Sequence, residues 1–88
     1  MAKEIHLEIV TPKQVVFKGD VQNFTAPGVM GPFEVLYNHA PIVAALQSGT
    51  FKYTDMNGTE ENIAITGGFL ELHANQGTLL ADGIAETQ

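Results

Sequence analysis

Apolar and polar residues alternate along most of this chain with a period of two. Ile5, Leu7 and Ile9 fall on one side of the first run, His6 and Glu8 on the other, and Thr11-Pro12 stops it. A period of two places successive side chains on opposite faces, so the run reads as a half-buried strand. Gln14 to Lys18, carrying Val15, Val16 and Phe17, reads as a second short strand closed by Gly19-Asp20. Val21 to Ala26 follows with Phe24 and Ala26 on one face and ends at Pro27-Gly28. Gly28-Val29-Met30-Gly31-Pro32 reads as loop from its glycine and proline content.

The second half repeats the pattern. Phe33 to Tyr37 reads as a short strand before an Asn38-His39 turn, and Ile42 to Leu46 as a compact apolar strand ended by Gly49. Phe51 and Tyr53 alternate with Lys52 and Thr54. Asp55-Met56-Asn57-Gly58 carries the Asn-Gly pair that accommodates the positive φ angles of a type I′ hairpin. The return strand is Glu60 to Thr66, with Ile63 and Ile65 inward. Gly67-Gly68 leads into Phe69 to His73, with Leu70 and Leu72 on one side. Ala74-Asn75-Gln76-Gly77 reads as another turn, and Thr78 to Asp82 completes that hairpin with Leu80 inward. Eight to ten short strands at regular intervals, with no helical period, predict an all-β fold: an antiparallel β-sandwich or flattened barrel of about ten short strands. A single sandwich domain is expected over 1–84, with 85–88 as a flexible tail.

Length supports one domain, since 88 residues cannot supply two cores. No cysteine is present, so neither disulfides nor thiolate metal sites can add to the core. The longest apolar runs fall well short of the roughly 18–20 residues of a spanning helix. The alternating start MAKEIHLEIV is unlike a signal peptide, and a cytoplasmic location is expected. Four lysines and no arginine face ten carboxylates, for a net charge of −6. Such a balance disfavours binding to phosphate backbones or anionic membrane surfaces, both of which depend on cationic side chains.

Chemistry is sparse. His6, His39 and His73 lack the close spacing of metal ligands, and the plainer reading is surface histidines. The carboxylates Asp55, Glu60 and Glu61 flank a hairpin and read as an exposed charged tip, not as a pair held across a cleft. Gly28-Val29-Met30-Gly31 lacks the lysine and following helix of a phosphate loop. Gly67-Gly68 reads as a sharp bend or a close approach of backbones. No nucleophile–base constellation has local support, so neither catalytic residues nor a cofactor or metal site is expected. His39 differs from the other histidines: it sits in a turn just before Ala40-Pro41, which is biased to extended backbone. It serves there as a loop hydrogen-bonding group or as a partner contact.

The series GPFEVLYNHAPIVAALQSG from Gly31 to Gly49, then ITGGFLEL and LLAD, resembles the epsilon-subunit family of F-type ATP synthases. The opening IHLEIVTP and VFKGDV fit the same family, so the resemblance covers nearly the whole chain. It implies a ten-stranded sandwich in the central stalk, without catalytic sites, that packs on the gamma subunit and touches the c-ring. Stalk and ring turn together, and proton or other ion flow is thereby coupled to ATP synthesis at the cytoplasmic face of a bacterial inner membrane. Carried over by position, the turn from Gly28 to Asn38 would face the c-ring, with His39 near gamma. The interface residues implied are Val29, Met30, Gly31, Pro32, Phe33, Glu34, Tyr37, Asn38 and His39. Val10 is a further apolar candidate, for which ordinary packing is the plainer reading. Two positions depart from the family, which often has glycine at Glu34 and proline at Tyr37. Many members also continue into a helical hairpin that restrains ATP hydrolysis or binds ATP. The sequence stops shortly after Asp82, so neither ATP binding nor helix-based inhibition is expected of it. The rival expectations are a free-standing ligand- or peptide-binding sandwich, though no tryptophan is available for a binding platform, and a three-histidine metalloenzyme.

Overall fold

The computed structural model describes residues 3–85. Among them eight strands and no helix are found: β1 (Ile5–Val10), β2 (Val15–Gly28), β3 (Gly31–Val35), β4 (Ile42–Leu46), β5 (Gly49–Asp55), β6 (Glu60–Ile65), β7 (Gly68–His73) and β8 (Gln76–Ala81). Two layers form. One has the order β4-β7-β8-β1 and continues into the first half of β2; the other holds β3, the second half of β2, β5 and β6. The 14-residue β2 belongs to both, pairing β1 through Val15–Val21 and β3 and β5 beyond it. Register shifts between Ile9 and Val10 and between Val21 and Asn23 give the local twist needed to turn from one layer to the other. Neighbours are antiparallel except β1 and β8, which run parallel.

Ile5, Leu7, Ile9, Val21, Phe24, Val35, Phe51, Ile65, Leu70 and Leu79 are buried between the layers. Phe24 and Phe51 lie tilted with centroids 5.3 Å apart, within the range where aromatic pairs attract beyond their burial. No buried polar or charged residue interrupts this core among the described residues.

Several expectations change, most of them at glycines. Gly19-Asp20 does not end a strand: β2 runs straight through. Gly19 faces inward opposite Leu7, and the Phe17 ring covers the place of its missing side chain, 3.1 Å from where a Cβ would stand. Gly77 is likewise no turn residue. The turn is Ala74-Asn75 alone, with φ of 52° and 62°, so His73 pairs with Gln76 and Gly77 is an inward position. The Phe24 ring and the Leu72 methyl fill the space beside it at 3.5 Å. The shortened turn shifts the inward set of β8 to Gly77, Leu79 and Ala81. Leu80 points outward, 48% exposed, contrary to its expected inward direction. The third strand begins at Gly31 and ends at Val35, not Tyr37, because Gly31 and Pro32 pair with Gly28 and Pro27. In the Asp55–Gly58 hairpin, Gly58 N–H donates to Asp55 O and only Gly58 has positive φ (88°). That is a type I turn followed by a left-handed glycine, not type I′. Asp55 Oδ1 accepts from the N–H groups of Asn57 and Thr59, which places this carboxylate as a turn brace. Of the expected tail, Ala85 N–H donates to Ala64 O, and Glu86-Thr87-Gln88 lie outside the described residues.

A candidate docking surface

The hairpin between β2 and β3 presents apolar side chains to solvent and holds them firmly. Val29 and Met30 form its two-residue tip, and the excess turning is taken by Gly31 at φ 125°. Gly28 permits a close crossing: a Cβ there would lie 2.7 Å from Gly31 O and 3.0 Å from the Phe33 ring. The tip is tied to β4 by Val29 N–H to Ala45 O and by Gln47 N–H to Pro27 O. Met30 is nonetheless 97% exposed and Val29 53%. A fixed backbone that offers a bare methionine gives contact area at little ordering cost, because only the side chain must be immobilised. Pro32 and Glu34 lie on β3, whose outer edge pairs with no other strand among the described residues. The proline removes a donor and the glutamate adds charge there, both of which discourage strand addition.

The loop after β3 carries the rest of the expected surface. Leu36 and Tyr37 are exposed, and His39 N–H donates to Leu36 O to close a turn. Asn38 has φ 67°, which asparagine tolerates, and its N–H donates to Asn75 Oδ1 at 2.7 Å. Asn75 Nδ2 donates back to Asn38 Oδ1 at 3.1 Å. This amide pair clamps the loop to the β7–β8 turn. Val29, Met30, Gly31, Phe33 and His39 line one shallow apolar hollow of about 350 Å³ with residues of β4. Pro32, Glu34, Tyr37 and Asn38 stand outside it. Val43, 72% exposed on the hollow's β4 side, is a surface residue that the sequence reading placed in a compact apolar strand. The adjacent pair Ile42-Val43 held the signal, since in a strand neighbours face opposite sides and both cannot be core.

The histidines take separate local roles. His6 Nδ1 bonds Asp20 Oδ1 at 3.1 Å across β1 and β2, His73 stands opposite Gln76, and His39 Nδ1 donates to Ala40 O at 2.8 Å. Among the described residues no group of three or more His, Asp or Glu side chains is placed to hold a metal ion. The His6 bond, followed by one from Glu4, holds the Asp20 carboxyl below its ordinary range. The same contact with Asp20 pushes Glu4 up. The His6 and Asp20 side chains are each a little under half exposed, and the arrangement is a surface hydrogen-bonded chain. Glu60 and Glu61 are exposed, Lys52 Nζ lying 3.9 Å from Glu60 Oε2.

Comparison with known proteins adds to this geometry. Residues 4–87 match the model of the ATP synthase Delta/Epsilon chain β-sandwich domain. An ATP synthase epsilon chain of Chlorobaculum tepidum is 39% identical over 83 residues, 94% of each chain. The epsilon chain of Carboxydothermus hydrogenoformans is 44% identical over 93% of this chain and 60% of its own length. That of Syntrophomonas wolfei is 40% identical, and the matched region covers 56% of it. The chain thus spans little more than half the length of some curated relatives and nearly all of others. In fold, it superposes with a TM-score of 0.89 on a chain of the Euglena gracilis mitochondrial ATP synthase, at 20% identity. That match covers 97% of this chain and 54% of the other. A chain of the Tetrahymena thermophila mitochondrial ATP synthase central stalk and c-ring gives 0.75 at 15% identity, covering 92% and 65%.

Proposed function

The chain belongs to the ATP synthase Delta/Epsilon family through its β-sandwich domain, and on that footing we propose that it is a non-catalytic stalk subunit of an F-type ATP synthase. It docks on the gamma subunit and the c-ring and helps couple ion flow through the ring to ATP synthesis, at the cytoplasmic face of a bacterial membrane. The observation that carries this reading is the β2–β3 hairpin: an apolar tip, almost fully exposed at Met30 and backbone-bonded to β4. Exposed apolar side chains on a braced turn suit a partner contact far better than solvent. The residues assigned to that contact are Val29 to Glu34, Tyr37 and Asn38 at the c-ring end, and His39 beside gamma.

A docking subunit in a rotor must keep its shape under load. The Asn38–Asn75 clamp and the ties from Val29 and Gln47 serve that need, because they fix both loops to the sheet. The sandwich itself holds no ATP in this reading. Co-expression with the gamma subunit and c-ring of the same organism tests it: a co-purifying complex is expected, weakened by Met30→Asp or His39→Asp without loss of folding. No complex with folded gamma, or complexes indifferent to both substitutions, would overturn it. Titration calorimetry with ATP should give no heat of specific binding.

A further inference from the structure

The hydrogen bonds that shape the β5–β6 turn converge on one residue. Asp55 O accepts from Gly58 N–H at 3.0 Å, and Asp55 Oδ1 accepts from Asn57 N–H and Thr59 N–H, both at 2.9 Å. Asp55 N–H in turn donates to Thr59 O. Met56, Asn57, Gly58 and Thr59 are all exposed around it. Of the five asparagines in the chain, Asn57 alone is followed by glycine; Asn23, Asn38, Asn62 and Asn75 precede Phe24, His39, Ile63 and Gln76. A Cβ on the following residue crowds the approach of its nitrogen to the asparagine carboxamide. Gly58 has none, and nothing lies within 4 Å of where one would stand. Asn38 and Asn75 also lie in turns, but Asn75 Nδ2 donates to Asn38 Oδ1. Among the described residues no hydrogen bond holds the Asn57 carboxamide.

We propose that Asn57 is a self-modification site, where the chain ages by deamidation to aspartate and isoaspartate, and that Asp55 sets the pace. The proposal does not depend on the stalk reading. Gly58 N attacks the side-chain carbonyl carbon of Asn57. A C–N bond forms, the bond to Nδ2 breaks, and ammonia leaves carrying the proton that the Gly58 amide gives up. Water then opens the cyclic imide. Attack at the former side-chain carbonyl gives aspartate; attack at the main-chain carbonyl gives isoaspartate, whose backbone runs through the old side chain and is one methylene longer. In the closed turn the Gly58 N–H is engaged with Asp55 O, so the reaction runs from the opened turn. Backbone bonds at an exposed hairpin tip open at far lower cost than the core. The longer backbone cannot restore the Gly58–Asp55 bond in its present register. The new carboxylate also joins Asp55, Glu60 and Glu61 at an already acidic tip, and the loosening spreads into the adjoining Thr54–Glu60 pair.

Ageing the folded protein in mildly alkaline buffer at physiological temperature, followed by digestion and peptide mass spectrometry, tests the proposal. Asn57 should gain the mass of an acid at least tenfold faster than Asn23, Asn38, Asn62 or Asn75. An isoaspartate carboxyl methyltransferase should label the Asn57 peptide of the aged protein, and Asn57→Gln should abolish both signals. Conversion no faster at Asn57 than at the other four, or an unlabelled peptide, overturns the site. Asp55→Ala, which removes the Oδ1 acceptor, should raise the Asn57 rate severalfold, whereas Asp55→Asn, which retains one, should keep the wild-type rate. If circular dichroism shows Asp55→Ala unfolded, wild-type protein in urea takes its place and should convert severalfold faster than the folded protein. A rate indifferent to the loss of the Asp55 side chain, or to unfolding, overturns its part as the brake. The isoaspartate form, separated by its extra charge, should exchange the Asp55 amide, bonded to Thr59 O, at least tenfold faster than the unaged chain. Equal exchange overturns the unlocking of the turn.

Discussion

Gly68→Ala and Gly31→Ala separate two costs that a glycine can conceal. Both residues have φ in the region that side chains rarely adopt, 155° for Gly68 and 125° for Gly31. An alanine at either carries backbone strain of about 1–3 kcal/mol. Their surroundings differ. Nothing lies within 4 Å of a Cβ at Gly31, whereas at Gly68 it would collide with Leu80 O and stand 3.0 Å from Ala81 Cα. Those atoms are backbone of the paired strand β8, so relief requires β7 and β8 to part. Forced overpacking adds about 1–3 kcal/mol, giving about 2–6 kcal/mol for Gly68→Ala. The gain from a less flexible unfolded chain is common to both variants and cancels in their comparison. At about 0.05–0.15 kcal/mol per residue the whole domain is worth about 4–13 kcal/mol, so Gly68→Ala removes a large share of it. Urea denaturation reads the difference. With a slope of about 1 kcal/mol per molar for a domain of this size, the Gly68→Ala midpoint should lie about 1–3 M below that of Gly31→Ala. Equal midpoints would refute the claim that crowding from β8 holds Gly68 in place.

Tyr53 and Ala74 carry further expected outcomes. Burial first, then the charges of Glu61 and Asp55, raise the Tyr53 phenol above its ordinary value near 10. The unfolded tyrosine therefore ionises first and the folded state holds the extra proton. Stability should be unaffected by this group below about pH 10, fall as pH rises through the folded Tyr53 pKa, and level beyond it. Glu61→Gln should lower the Tyr53 midpoint seen by ultraviolet absorbance, and an unchanged midpoint would remove Glu61 from the causes. Ala74→Gly should stabilise the domain by about 0.5–1 kcal/mol in the same urea assay, because Ala74 sits at φ 52° in a two-residue turn that favours glycine or asparagine. Destabilisation would mean that the turn is not strained.

Alternation made the all-β class and most inward residues legible, since Ile5, Leu7, Ile9, Phe24, Leu70 and Leu72 all follow it into the core. Glycine misled where it stood inside a strand. At Gly19 and Gly77 the missing side chain is replaced by an aromatic ring arriving from Phe17 or Phe24. The Phe24 ring reaches Gly77 from a distant strand, and Phe17, though only two residues from Gly19, gives no local sign that its ring folds over it, so both glycines read as punctuation and the direction of Leu80 was reversed. The exposed tip at Val29 and Met30 was visible from composition, but its bonds to β4 were not, because they join residues far apart in sequence.

The parallel pairing of β1 with β8 has a consequence for how the chain is made. Of the eight described strands β1 is the first to leave the ribosome, yet its neighbour on one side is the last of them to appear. Until then β1 can close only with β2, and the inward faces of Leu7 and Ile9 lack the strand beside them. The β4–β7–β8–β1 layer thus cannot be completed by vectorial growth. It waits for Ala81 to clear, and a stalled or clipped nascent chain leaves a sticky half-sandwich for chaperones.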